Sequence, residues 1–283
     1  NAANVAPNPL NLVYADRSQS NFSPKLHLAW QATPEVELRA SFGKGVRYPT
    51  VAEMFQTFNG PGGIRFNDPN LKPEQVNSME WVVQQRLADS FVRASLFYED
   101  KRDALISQTD VTVTPNISSI QNVDKVRTTG IELAAQASDV GSAFGLRGLD
   151  LNGSVTYTDS TITRDSRNLG LEGTDQPRIP AWRGTFVASY RASDALTATV
   201  SYRYSGHQHN QLYNTTTRQY NDPNPDVYGA VSQYKVVDAK VQYRIDKQWT
   251  VSLGVNNLNN FNYFVNPNPY PQRTWFAGVK VDL

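Results

Sequence analysis

The sequence predicts an all-β chain, an antiparallel transmembrane β-barrel portion of about eleven strands, and three observations carry that reading. Apolar residues recur on alternate positions in segment after segment, the period of a strand with two different faces. Short turns alternate with long polar connections, an asymmetry of outer-membrane barrels that a soluble sandwich has no reason to keep. No convincing helical period is present, and no run approaches the roughly 18 consecutive apolar residues of a membrane helix. The negative mean hydropathy is compatible with membrane strands, because alternation keeps their average low.

Leu26, Leu28 and Trp30 open the pattern, and the turn Ala32–Glu35 leads to Val36, Leu38, Ala40 and Phe42. A long connection, Gly45 to Glu74, precedes Met79, Trp81, Val83 and Leu87; the turn Ala88–Ser90 then leads to Val92, Ala94, Leu96 and Tyr98. Beyond a second long connection, Ser107 to Lys125, come Ile131, Leu133, Ala135 and Ala137, and the longer turn Ser138–Gly148 carries the chain to Leu149, Leu151, Val155 and Tyr157. The third long connection, Asp159 to Ala181, ends at Trp182, Phe186, Ala188 and Tyr190; Ala192–Asp194 turns into Leu196, Ala198, Val200, Tyr202 and Tyr204. After Ser205 to Gln233 follow Val237, Ala239, Val241, Tyr243 and Ile245, the turn Asp246–Gln248, then Trp249, Val251, Leu253 and Val255. Asn256 to Gln272 is the last long connection. Trp275, Ala277, Val279, Val281 and Leu283 close the chain, interleaved with the charged Lys280 and Asp282. This strand is about as long as the roughly 9 to 11 residues that cross a bilayer obliquely.

Parity gives an expected topology. With the long connections extracellular, the last strand runs inward to Leu283 in the periplasm, and Asn1 to Ser23 is the tail of another outer loop. An odd number of antiparallel strands closes only with a parallel seam, so a larger barrel with further strands upstream is expected. Residues 1–283 then read as one barrel portion with no separate second domain. Asn1 to Pro7 has no basic segment followed by an apolar stretch, so a signal peptide was removed or the chain is a fragment.

Composition narrows the function classes. The 27 basic and 26 acidic residues create no field suited to nucleic acid or an acidic substrate. Without cysteine there is neither a disulfide framework nor a thiolate metal site. A barrel enzyme needs a nucleophile and a base at one height on adjacent strands. No Gly-x-Ser-x-Gly elbow occurs, and the only strand histidine, His27, lies on the parity opposite Leu26 and Leu28, as a lumenal polar residue would. The chain is read as a non-enzyme without a cofactor.

Four motifs in order resemble the TonB-dependent outer-membrane receptors. The first runs from Phe42 through Gly43, Arg47, Pro49 and Glu53 to Phe55, followed by Asp68, Asn70, Leu71, Pro73 and Glu74. Asn122 to Glu132, with Gly130, resembles the family's segment into an Arg-Gly-Val-Glu type strand, with Thr129 where Arg is usual. Gly254 to Tyr263, with Asn257 and Leu258, resembles the Asn-Leu box, and Arg273 to Leu283 the terminal strand, which in the family usually ends in Phe or Trp. The resemblance implies a 22-stranded barrel with an N-terminal plug, absent from these residues together with the TonB-contacting box. It also implies TonB as energy source, assembly by the barrel-assembly machinery, a lipid-exposed wall in the Gram-negative outer membrane, and import of a scarce nutrient. A ferric siderophore is the first candidate; cobalamin, another metal chelate or an oligosaccharide is the alternative, and a soluble carbohydrate-binding β-sandwich the rival.

Gly43, Gly45 and Pro49 are expected to end a strand and turn the chain, and Arg47 and Glu53 to form a structural ion pair or contact the plug. Trp81, Trp182, Trp249 and Trp275 read as interfacial anchors. Ligand contacts are expected in the long loops, from Phe55, Phe58 and Phe66, from Tyr213, Tyr220 and Tyr228, and from Tyr263, Phe264 and Tyr270. Their rings suit a planar catecholate or heterocycle, and Arg65, Arg178 and Arg218 balance the charge of a ferric chelate. His207 and His209, two apart, are weak metal candidates beside the plainer reading of a hydrated loop. Haem receptors of the family the chain resembles usually carry a histidine between the segments matched by Val46 to Pro49 and Asp68 to Leu71. None lies between Arg47 and Leu71, so the resemblance argues against haem, and the presence of only two methionines argues against a Met-lined copper receptor.

Overall fold

The computed structural model describes residues 16–60, 63–110, 117–142, 145, 147–220, 231–265 and 268–282. In chain order its elements are β1 (Lys25–Gln31), β2 (Val36–Arg47), α1 (Val51–Phe55), β3 (Thr57–Gly60), β4 (Gly63–Phe66), β5 (Glu74–Leu87), β6 (Ser90–Asp110), β7 (Ile117–Ala137) and β8 (Leu149–Arg164). A 3-10 turn (Leu169–Leu171) follows, then β9 (Trp182–Arg191), β10 (Leu196–Ser205), β11 (Tyr213–Asn214), β12 (Gln219–Tyr220), β13 (Tyr234–Arg244), β14 (Trp249–Asn256), β15 (Phe264–Val265), β16 (Asn268–Pro269) and β17 (Thr274–Val281). Eleven strands form one antiparallel sheet in the order β1-β2-β5-β6-β7-β8-β9-β10-β13-β14-β17; β3–β4, β11–β12 and β15–β16 are small hairpins within long connections. Among the described residues β1 and β17 do not meet, so the sheet is open.

Register turns the alternation into two faces. Ala198, Val241, Leu253 and Ala277 stand in one transverse row across β10, β13, β14 and β17, and Thr197, Gln242, Ser252 and Gly278 in the row beside it. Because side chains alternate, the first row lies on one face and the second on the other. The apolar face is bare: Leu28 is 60%, Leu253 56% and Val279 64% exposed. An apolar face this wide is rarely left uncovered by a monomer in water and has the character of the outer face of a transmembrane barrel. On the polar face Arg93 pairs with Glu132 at 2.9 Å and Arg203 with Asp238 at 3.2 Å. There Ser189 and Thr199 share a hydrogen bond at 2.9 Å, and His27 lines a cavity with Arg39, Ser41, Glu80 and Arg93.

The buried apolar cluster lies away from the sheet's bare face, at its long-connection end. Ala104, Val123, Val126, Ile162, Leu171 and Leu212 pack there between β6, β7, β8 and the loops above. Beyond the bilayer a strand faces water on both sides, and only such local packing is open to it.

Several expectations are corrected. Much of the connection expected from Ser107 to Lys125 is strand, because β6 runs to Asp110 and β7 starts at Ile117, pairing Ser107 with Ile120 and Asp110 with Ile117. Pairing skips Asp103, whose φ is +51°, and resumes at Ala104 opposite Val123. A strand outside the membrane needs no apolar face, so its polar side chains read as loop. β8 likewise continues through Asp159 to Arg164. Gly43 and Gly45 lie inside β2 rather than at a turn. Trp81 sits mid-strand between Ala40 and Leu96, within the apolar band rather than at its edge. Leu283 lies outside the described residues.

Candidate functional site

Three groups of predicted residues sit at the long-connection end of the sheet. The first follows β2. Thr50 caps α1: the Glu53 N–H donates to its hydroxyl at 3.2 Å, and the Thr50 N–H donates to the Glu53 carboxylate at 2.8 Å. This reciprocal pair satisfies two end donors that a five-residue helix would otherwise leave open. The Arg47 guanidinium also donates to Glu53. Burial alone would raise the Glu53 pKa, but the Thr50 N–H and Arg47 outweigh it and hold the carboxyl below its ordinary range. Of the two roles open to Arg47 and Glu53, the ion pair is present. Phe55 ends α1, half-buried; Phe58 stands opposite Arg65 and Phe66 opposite Thr57 in the β3–β4 register.

Leu71, fully buried, is fixed by its backbone. Its carbonyl and that of Pro69 accept from Arg17 at 3.1 and 2.5 Å, and Asn70 N–H donates to Asp68 at 2.8 Å. Pro73 is buried beside it, and the Glu74 carboxylate accepts the Leu105 N–H at 3.0 Å. Next to these stands Asn122, the first residue of the second motif, for which the sequence predicts no role. Its amide donates to the carbonyls of Lys72 and Asp103 at 3.0 and 2.8 Å and accepts from Lys72 N–H at 2.8 Å. One amide thus ties the loop before β5 to β6 and β7. Its only sequence signal is an Asn in a polar stretch.

The second group joins two connections. Tyr220 stacks on His209 with centroids 3.4 Å apart and planes 3° from parallel, and its hydroxyl accepts the Asp175 N–H at 2.9 Å. His207 meets His209 edge-on at 4.9 Å, and Tyr213 meets Tyr220 edge-on at 5.2 Å. Arg178, at φ +63°, donates its N–H to the His209 carbonyl at 2.7 Å and its Nε to Asn210 at 3.3 Å. Arg218 is exposed in the β11–β12 turn, and Tyr228 lies outside the described residues. His209 Nε2 is 3.9 Å from Asp175, but no three His, Asp or Glu side chains gather as a metal site among the described residues. The two histidines are placed by ring packing.

The third group closes the last long connection. Asn257, at φ +53° and 2% exposed, accepts the Phe261 N–H at 2.7 Å and donates to the carbonyls of Phe261 and Pro271 at 2.8 and 3.3 Å. Its own N–H donates to Asp238 at 2.8 Å. Asn tolerates the left-handed conformation better than other side-chain-bearing residues, which suits it to this fold-back. The neighbouring Leu258 N–H donates to Val237 O at 2.7 Å. Above them Tyr263 stacks on Tyr270 at 5.0 Å and tilts against Tyr234 at 4.9 Å. Tyr263 is 3% exposed, so it is a packed ring rather than a presented one; Tyr270, 44% exposed, is the ring on offer. Burial pushes the Tyr263 phenol above its usual range, against the opposing pull of the Arg203 guanidinium bonded to it. Phe264 is half-buried in β15.

Two of the motif glycines are explained by rings across the sheet. A Cβ on Gly130 would lie 2.2 Å from the ring of Phe97, its register partner, and 2.4 Å from the Tyr157 carbonyl. Gly254 is covered in the same way by Phe276, at 2.2 Å. In the next pair along β7, Glu132 accepts from Arg93 and, at 3.3 Å, from Thr156.

A model of the family described as "TonB dependent receptor-like, beta-barrel" matches residues 2–258. The chain belongs to this family. It is 23% identical over 252 residues to the probable TonB-dependent receptor BfrD of Bordetella pertussis, covering 88% of this chain and 31% of BfrD. It is 21% identical over 212 residues to the probable TonB-dependent siderophore receptor PiuA of Acinetobacter baumannii, covering 71% of this chain and 25% of PiuA. The chain therefore spans under a third of the length of either relative. Among solved structures, the copper transporter OprC superposes with a TM-score of 0.69 at 20% identity, covering 92% of this chain and 39% of OprC. A variant of the ferric enterobactin receptor PfeA of Pseudomonas aeruginosa, in complex with enterobactin, gives 0.65 at 17% identity, with 92% and 40% covered. At these identities the structures establish the fold alone. The family is one of transport receptors, and its barrels are outer-membrane structures.

Proposed function

We propose that residues 1–283 form the C-terminal barrel portion of a receptor that imports a ferric siderophore across the Gram-negative outer membrane. TonB drives it through a plug encoded upstream, and the barrel-assembly machinery inserts it by the terminal strand. The observation that carries this reading is the division of the sheet: a bare apolar face for lipid, a polar face for a lumen, and the aromatic and cationic groups at one end. A rigid strand scaffold presenting recognition groups on its connections is the arrangement expected of a receptor. Siderophore recognition is named in PiuA, and enterobactin occupies the PfeA complex. Tyr270, Tyr220, Phe55 and Arg218 are the first residues assigned to ligand. A strain deleted for the full gene should lose growth on at least one ferric siderophore when iron is limiting, and the gene in trans should restore it. Unchanged growth across catecholate, hydroxamate and citrate-type chelates would count against siderophore import, and loss of cobalamin or oligosaccharide uptake would reassign the cargo.

A further inference from the structure

On the apolar face, toward the short-turn end, lies a groove of about 490 Å³ over β7 and β8. Register explains it. In the transverse row Val92–Ala135–Gly153–Phe186 the two middle members carry the least side chain, so the row dips between Val92 and Phe186. Leu133 and Val155, opposite one another in the next row, wall the dip toward the long-connection end. On β7, Ala137 continues the low line toward the turn that precedes β8. From Leu133 to Ala137 the strand advances about 14 Å. A trough two strands wide with an apolar floor of this length takes an extended hydrocarbon chain. Within a bilayer no hydrophobic gain holds such a chain to the protein wall, so retention comes from close packing, which small side chains permit, and from contacts at the polar end of the ligand. Such a contact is at hand. Of the two arginines at this end of the groove, Arg191 is taken up by Asp150, while Arg147, in the turn, is exposed. A guanidinium offers a phosphate its planar fork of donors.

We propose that this groove is a binding site for one phospholipid, with an acyl chain lying over Ala135 and Gly153 and the phosphate at Arg147. The occupant follows from continuity, because the groove opens within the apolar face itself and the exposed Leu133, Val155 and Phe186 that wall it belong to that face. With the short turns periplasmic, this half of the face lies in the inner leaflet. The site is independent of the cargo and rests only on the membrane placement in the import reading. Full-length receptor is extracted from outer membranes in a mild detergent, and the phospholipid that stays bound is counted by native mass spectrometry. Wild type should keep one phospholipid per receptor. Ala135→Leu raises the exposed floor of the groove and should displace it. Arg147→Gln removes a charge from an exposed turn and should lower occupancy about tenfold, the order expected for one charge-assisted contact. Ala40→Leu adds the same bulk elsewhere on this face, between Leu28 and Trp81, and should leave occupancy unchanged. All three variants should reach the outer membrane at the wild-type level. A wild type that keeps no phospholipid, or an Ala135→Leu or Arg147→Gln variant that keeps as much as wild type, overturns the site and leaves the import reading intact. Wild-type dimers that Ala135→Leu splits assign the groove to a second copy of the chain and overturn it too. If wild type is absent from the outer-membrane fraction, the membrane placement fails and the site with it.

Discussion

Placing an arginine at Val241 tests the two-faced sheet at its most sensitive point. The apolar run from Val237 to Ile245 rises about 20 Å if each residue advances about 3.4 Å along a strand tilted about 40°. That fits within an apolar band about 25 Å tall, and Val241 is the middle member of the run. Its transverse neighbours Ala198, Leu253 and Ala277 offer no polar atom beyond the paired backbone. Arg at a barrel midplane costs about 2–4 kcal/mol, or roughly 30- to 900-fold in the folding equilibrium. The adjacent Gln242 stands between Thr197 and Ser252 on the polar face, so Gln242→Arg should stay within about 0.5 kcal/mol of wild type. The measurement is denaturant unfolding of the full-length receptor refolded into phospholipid vesicles. Equal midpoint shifts for the two variants would refute the assignment of faces, and a neutral Val241→Arg would remove the bilayer from that face.

Three further outcomes are expected. Gly130→Ala drives a Cβ more than an ångström inside contact with the Phe97 ring and the Tyr157 carbonyl, so it should cost about 1–3 kcal/mol, whereas Gly45→Ala meets nothing within 4 Å and should be neutral or better; thermal unfolding of both variants checks this. Asn257→Ala orphans the Phe261 N–H and places Ala at positive φ, for about 2–4 kcal/mol, while Asn257→Gly should cost less because it keeps the conformation; denaturant midpoints separate the two. Because the Glu53 pKa is depressed on folding, its contribution is full above the ordinary glutamate pKa and is lost as pH falls through the folded value. The protection factors of the amides at residues 50–56, exchange rates divided into the intrinsic rate at each pH, should therefore fall on acidification in wild type and stay nearly constant in Glu53→Gln.

The strands were legible because a membrane strand is specified by its own residues: each outward side chain answers to lipid, so Leu26, Leu28 and Trp30 declare their face without a partner. Outside the bilayer that demand ends. Ser107 to Asp110 pair as strand with no apolar residue to announce it except Ile120 and Ile117 opposite. The site was legible by residue type but not by contact. His207 and His209 stand together in the sequence, yet the ring that holds His209 comes from Tyr220, eleven residues on, and Asp175 comes from another connection. Asn122 and Asn257 are harder still, since an amide that bonds remote carbonyls leaves no period in the chain.

Tyr263 and Tyr270 take different parts in one loop. Both are aromatic residues in a long connection, and sequence alone treats them alike. The structure buries Tyr263 among Tyr234, Phe261 and Arg203 and leaves Tyr270 on its open face. A ring loses little side-chain freedom when it stacks on an already fixed neighbour, so the buried tyrosine lowers the entropic cost of presenting the exposed one. Asn257 fixes the turn below them through Phe261 and Pro271, on either side of the pair. The buried amide of Asn257 and the packed ring of Tyr263 thus hold the exposed ring of Tyr270 in place. Tyr270→Ala should therefore leave the unfolding midpoint close to wild type, whereas Tyr263→Ala, which empties a packed position, should cost about 3–5 kcal/mol.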